Sequence, residues 1–189
     1  MSPRASTVPG GTIEIRTASG ADCEAIKSFV IGLSLRTRFL RFFTPTAPPS
    51  STVLRGMCGV GPGTDVLVAT EHGMIIGHAM AVDTVEPDGG RVTDVGLVVT
   101  DRWQNCGIGS EMLRRVVTRA AARGVSGLVM EVLPENRRML AMISRRCADA
   151  GYEFGGDSVT VRVRLPEPPT AKGHGHDAAL RAAGRTGRR

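Results

Sequence analysis

The sequence predicts a mixed α/β domain: an antiparallel meander first, then one strand–helix–strand crossover. Three observations carry that expectation. β-rich runs separated by hairpin signals fill residues 65–100, residues 107–123 repeat apolar side chains at helical spacing, and an apolar strand follows that helix directly.

Taken in order, Thr12–Thr17 alternates apolar and polar residues as a half-buried strand does. Gly20–Leu33 places Ala21, Ile26, Phe29, Val30 and Leu33 on one helical face. Ser34–Phe43 and Ser51–Val60 read as two short helices, each opened by a serine suited to capping. Asp65–Thr70 and Met74–Thr84 are strands joined through Glu71-His72-Gly73, and the turn Pro87-Asp88-Gly89-Gly90 leads into the Val-rich strand Arg91–Thr100. In Gly107–Arg123 the residues Ile108, Met112, Leu113, Val116, Val117, Ala120 and Ala121 form an apolar stripe that Gly124 closes. Ser126–Val132 reads as a buried strand and Glu135–Ala150 as a helix ended by Gly151. Tyr152–Phe154 and Ser158–Leu165 form a last strand pair around Gly155-Gly156-Asp157.

These elements fit one domain, residues 12–165, in a chain of 189. Residues 1–11 and 166–189 read as disordered tails without a hydrophobic period. The net charge of +6 invites a nucleic-acid partner, but residues 166–189 alone hold five basic and two acidic side chains, and aromatics are only 4%. Nucleic acid is therefore not the expected partner. No apolar run reaches the roughly 18 residues of a membrane span, and no signal-peptide core is visible, so no membrane partner is expected. Cys23, Cys58, Cys106 and Cys147 are widely spaced, which argues against a zinc ribbon or disulfide framework and for a reducing cytoplasm. His174 and His176 in the Gly-rich tail are read as solvated residues, and no metal is expected. Nothing in the sequence fixes an oligomeric state.

The chemistry lies after the Val-rich strand Arg91–Thr100, in Gln104-Asn105-Cys106-Gly107-Ile108-Gly109-Ser110. A strand, a glycine-bearing turn and a helix N-terminus together make an anion site, because backbone N–H groups point at the ligand and the helix adds its positive end. A Cβ at Gly107 or Gly109 should then clash with phosphate oxygens. Neither G-x-x-x-x-G-K-[ST] nor G-x-G-x-x-G is present. The pattern Q-x-x-G-x-G is, and with its flanking strand and helix it resembles the GNAT superfamily of acetyl-CoA-dependent N-acyltransferases over about residues 12–165. That resemblance implies the GNAT fold, a central, mostly antiparallel twisted sheet flanked by helices, with the coenzyme pyrophosphate held at Gln104–Ser110. Pro134-Glu135-Asn136-Arg137-Arg138-Met139-Leu140 is similar to the family's second coenzyme segment, which adds Asn136 and Met139. Leu33-Ser34-Leu35-Arg36-Thr37-Arg38-Phe39-Leu40-Arg41-Phe42-Phe43 is similar to the corresponding segment of bacterial protein lysine acetyltransferases of this class.

The resemblance implies direct transfer of acetyl from acetyl-CoA to an amine in a ternary complex. A lysine ammonium is neutral in only roughly one molecule in 2,500 at pH 7, so a base is needed. In the family the base is a Glu on the central strand, and the matching position here is Asp94. The shorter side chain withdraws the carboxylate by roughly 1.5 Å, which favours a bridging water. Read without the resemblance, Asp94 is a solvated strand-edge carboxylate or a partner for Arg91. The resemblance also places the pantetheine amides along Leu97, Val98 and Val99, with a backbone N–H there as oxyanion donor. The Tyr that many relatives carry after the Asn is missing between Asn136 and Ala150, so no general acid is assigned. Cys106 reads as a loop filler. His78 reads as a satisfied core residue on one strand face with Met74, Ile76, Met80 and Val82, or as a border of the acceptor site. A protein lysine is the favoured acceptor. The alternatives are a small amine (polyamine, amino-sugar or amino acid) and a non-catalytic acyl-CoA-binding sensor.

Overall fold

The structure is a computed structural model, and it describes residues 6–8, 11–44 and 49–166. Its strands are β1 (Ser6–Val8), β2 (Gly11–Thr17), β3 (Thr64–Glu71), β4 (Met74–Val85), β5 (Arg91–Val99), β6 (Gly127–Val132), β7 (Ala150–Gly155) and β8 (Ser158–Arg164). Its helices are α1 (Cys23–Ile31), α2 (Leu35–Phe42), α3 (Ser51–Met57), α4 (Ile108–Ala122) and α5 (Arg137–Arg146). The strands form one sheet in the order β1-β2-β3-β4-β5-β6-β8-β7, antiparallel throughout except for β5 against β6. The expected α/β class, with meander and crossover, is what the structure shows. The expected tails fall mostly outside the described residues, in 1–5, 9–10 and 167–189, but Ser6–Val8 is an edge strand paired to β2.

Short-range chemistry explains the joints. His72 and Gly73 both have positive φ (47° and 79°), the pairing that a two-residue hairpin turn requires. Ser34 and Ser50 cap α2 and α3 by accepting from the N–H groups of Thr37 and Val53. Helices cover both faces of the sheet. On one face α4 buries Met112, Leu113, Val116 and Ala120 against Leu67, Ala79, Val99 and Leu128. Each such large apolar side chain contributes about 1.5–3 kcal/mol when fully buried. On the other face α1 and α3 pack Ile26, Phe29, Val30 and Met57 against Val68 and Val98. The end of α4 is tied to the meander by Arg119 and Arg123 on Asp65 (2.7 and 3.0 Å) and by Arg123 on Asp83 (2.9 Å).

Three sequence expectations need correction. α5 stops at Arg146, and Gly151 lies inside β7 opposite Arg162 rather than ending the helix. Buried Cys147 falls four residues after buried Ile143, so the apolar period runs on past the last helical turn. Ile76 does not share a face with His78. Ala69 pairs Gly77 while Thr70 pairs Ile75, so Ile76 is the extra residue of a β-bulge and turns into the α4-side core. Finally, Cys23 and Cys58 are joined as a disulfide between α1 and the end of α3, with Cα atoms 5.2 Å apart. Spacing in sequence could not reveal that contact, and the cysteine argument for a reducing compartment loses its support. Cys106 and Cys147 are free.

Candidate active site

The site begins where two parallel strands part. β5 and β6 pair only at Val92–Gly127, Thr93–Leu128 and Asp94–Val129, although β5 continues to Val99 and β6 to Val132. Beyond Asp94 the β6-facing edge of β5, which includes Leu97, Val98 and Val99, is left without a strand partner. Backbone N–H and C=O groups on such an edge can take an extended ligand as an added strand.

At the far end of β5 the chain turns through Asp101–Trp103 into the glycine loop. Asn105 (φ 63°) and Gly107 (φ 80°) both adopt the left-handed conformation. Gly107 is the N-cap of α4 and supplies no side-chain cap. The N–H groups of Ile108, Gly109 and Ser110 therefore stay free at the positive end of a 15-residue helix. A Cβ at Gly107 would enter open space, whereas one at Gly109 would meet Leu97, Met142 and Val99 at 3.4–3.8 Å. Gly107 thus faces open space, and Gly109 lies where the helix approaches side chains of β5 and α5. Cys106 contacts the Gln104 carbonyl through its sulfur at 3.6 Å and packs against the core, in keeping with a filler role.

Gln104 is the hub of this loop. Its Nε2 donates to the Val99 carbonyl (3.0 Å) and to Thr37 Oγ1 (3.2 Å), and its Oε1 accepts from Arg138 (2.9 Å). Asp101 adds bonds from the hydroxyls of Ser34 (3.1 Å) and Thr37 (2.9 Å). The start of α2 is therefore bolted to the glycine loop. Asn136 caps α5 by accepting from the Met139 N–H at 3.3 Å, and both residues line the cavity at the fork.

That cavity, about 450 Å³, is bounded by α2, α3, β4, β5, β6 and the start of α5. Its walls are mainly apolar, with Phe42, Met80, Val82, Leu97 and Met130 among them, and its charged groups are Asp94, Arg41 and Glu131. Asp94 is solvent-accessible, yet the surrounding wall desolvates it enough to raise its carboxyl above the ordinary value. Arg41 opposes that rise and Glu131 adds to it. No hydrogen bond or ion pair engages Asp94 among the described residues, and Arg91 lies against Asp83 instead (3.9 Å). Glu131 is more committed, since its two oxygens accept from Ser158 (2.8 Å) and Thr160 (2.6 Å). His78 lies behind the cavity, fully buried, with Nε2 2.9 Å from the Met57 carbonyl, and burial pushes its pKa down to about 4. It does not line the cavity.

Sequence reasoning missed Glu131, Asp101, Arg138 and any site role for Arg41. The signals were present for two of them: Glu131 interrupts an apolar strand, and Arg41 interrupts Phe39-Leu40-Arg41-Phe42-Phe43. Asp101 and Arg138 act through contacts that no local pattern announces. Among the described residues no group of His, Cys, Asp and Glu side chains could hold a metal ion, and no helix is long and apolar enough to cross a membrane.

Residues 34–148, more than half of the chain, match the model of the acetyltransferase (GNAT) family. The chain belongs to that family. Among solved structures it is similar to the GNAT domain of S. lividans PAT, at 24% identity and TM-score 0.72, covering 82% of this chain and 92% of that one. It is also similar to yncA of Salmonella typhimurium, a putative acetyltransferase solved with its cofactor acetyl-CoA (19%, TM-score 0.64, 82% and 95% covered). A third likeness is to a phosphinothricin acetyltransferase of Sinorhizobium meliloti in complex with acetyl-CoA (20%, TM-score 0.64, 82% and 88% covered). Comparison with curated proteins gives no match. At these identities the structural likenesses establish the shared fold.

Proposed function

We propose that this acetyltransferase moves acetyl from acetyl-CoA to a primary amine, by direct transfer in a ternary complex, with Asp94 as general base. The observation that carries the reading is the fork: it leaves the edge of β5 open between Asp94 at one end and the uncapped N-terminus of α4 at the other. The residues fit the coenzyme. Free N–H groups at Ile108, Gly109 and Ser110 suit a pyrophosphate, the edge at Leu97–Val99 suits pantetheine amides, and Gln104, Asn105, Cys106 and Gly107 shape the turn between them. Asn136 and Met139 line the opposite wall of the groove. When bound, acetyl-CoA supplies a thioester whose C–S bond breaks as the C–N bond to the amine forms. Asp94 takes the amine proton through a bridging water, and a raised carboxyl is a stronger base than a surface aspartate.

A protein lysine is the favoured acceptor, supported by the likeness of residues 33–43 to bacterial protein lysine acetyltransferases. A small amine is the second reading, favoured by the fold likeness to a phosphinothricin acetyltransferase. Release of free thiol from acetyl-CoA, measured against lysine-containing proteins and a panel of small amines, tests both. Thiol release with proteins alone supports the first and with small amines alone the second. Coenzyme binding without thiol release from any acceptor overturns the enzymatic reading in favour of a sensor.

A further inference from the structure

Among the described residues Arg41 is the only cationic side chain lining the cavity, and its placement is unusual. It sits on the last turn of α2, between Leu40 and Phe42, with its guanidinium 5.1 Å from the centre of the Phe42 ring. Its Nε is buried and has no hydrogen-bond partner, and no described residue accepts from its other two nitrogens. The guanidinium lies against β5 at Gly96, where any Cβ would overlap it. Gly96 has no positive φ, no tight turn and no helix to cap, so the space above its Cα is what that position supplies. Two residues earlier on the same strand face stands Asp94, lining the same cavity.

A guanidinium on the wall of an apolar cavity whose buried Nε has no acceptor among the described residues is costly to hold in place. The charged and titratable groups facing Asp94 are few. They are Arg41 from α2, Glu131 from β6 and, behind Arg41 on β4, His78, which is neutral at physiological pH. Glu131 and the apolar walls disfavour an ionised Asp94, and Arg41 alone counters them. We propose that Arg41, seated on Gly96, is a positioning residue whose charge keeps the Asp94 carboxylate ionised at the edge of the acceptor cavity. The same cation disfavours a second positive charge in the cavity, so it also favours the neutral form of the acceptor amine. This inference rests on the reading of Asp94 as base.

The test is the pH profile of kcat/KM in four variants of the full chain. Asp94→Asn comes first: loss of the acid limb supports the base reading, and an unchanged limb overturns that reading itself. Arg41→Met removes the charge and keeps the bulk, and should move the acid limb up by about one pH unit or more, the shift an opposite charge within several ångströms produces. Gly96→Ala displaces the guanidinium without deleting it and should move the limb the same way. Arg41→Lys retains the charge and should move it least. A merely structural role would lower activity evenly across pH or lower the melting temperature while leaving the limb in place. An acid limb unmoved in Gly96→Ala and in folded Arg41→Met, with Asp94→Asn having abolished it, overturns the inference and leaves the base reading standing. Should Arg41→Met not fold, Gly96→Ala against Arg41→Lys gives the same decision.

Discussion

The Gln104 side chain donates to the carbonyl of Val99 at 3.0 Å, closing the turn between the end of β5 and the helix that follows it. The bond joins the strand edge suited to pantetheine to the loop suited to pyrophosphate, and Gln104 also reaches Thr37 on α2. Gln104→Ala deletes these bonds and frees the loop. Acetyl-CoA affinity should fall about tenfold, the worth of one to two net hydrogen bonds. Calorimetry giving wild-type affinity would show that the loop holds its shape without Gln104.

The two loop glycines should respond differently. Gly107 has φ 80°, so Gly107→Ala should cost about 1–2 kcal/mol of stability and place a methyl in the space where the anion would bind. Gly109→Ala meets only Leu97, Met142 and Val99 at ordinary contact distances and should change stability and affinity little. Denaturant melts and calorimetry on both variants check the contrast. Equal effects would remove the distinction.

His78 makes stability pH-dependent. Burial lowers its pKa from 6.5 to about 4, so the unfolded chain binds a proton that the folded chain refuses between those values. Stability from this residue is complete above pH 6.5 and is lost as pH falls toward 4, by up to about 3 kcal/mol at 1.36 kcal/mol per pH unit. Asp94, raised above 3.8, works in the opposite direction, and Asp22 and Glu111, held low chiefly by arginine hydrogen bonds, act at lower pH. The melting temperature of wild type should therefore drop more steeply than that of His78→Gln over pH 6.5–4. Parallel curves would contradict a buried neutral imidazole.

The Cys23–Cys58 bond closes a loop across 35 positions and should contribute about 3–4 kcal/mol if chain entropy dominates. Thiol titration of the denatured, unreduced protein should find two of the four cysteines, Cys106 and Cys147. Reductant should lower the melting temperature, and the double variant Cys23→Ser, Cys58→Ser should be indifferent to it. Four titrating thiols would contradict the bond.

Most of this fold was legible because local patterns and tertiary contacts agree. The stripe from Ile108 to Ala120, the Ser34 cap of α2 and the His72-Gly73 turn each announce themselves over a few residues, whereas the cap of α3 is Ser50, one residue before the expected Ser51. The glycine loop was legible for the same reason. Contacts between distant segments were not: Arg41 over Gly96, Asp101 with Ser34, and Cys23 with Cys58 depend on how α1–α3 lie on the sheet. The bulge at Ile76 was hidden too, since an apolar residue suits either face of a strand buried on both.

The most direct measurement is the steady-state rate of thiol release by wild type and Asp94→Asn, with acetyl-CoA affinity measured in parallel. The isosteric amide keeps the shape of the cavity and loses the basicity. Affinity should barely change while turnover at pH 7 falls by roughly 10²–10⁴, the usual worth of a general base. Activity should partly return at high pH, where the acceptor is already neutral, and Asp94→Glu should retain activity or raise it. Near-normal turnover by Asp94→Asn at pH 7 would contradict the assignment, and another group would then have to remove the proton.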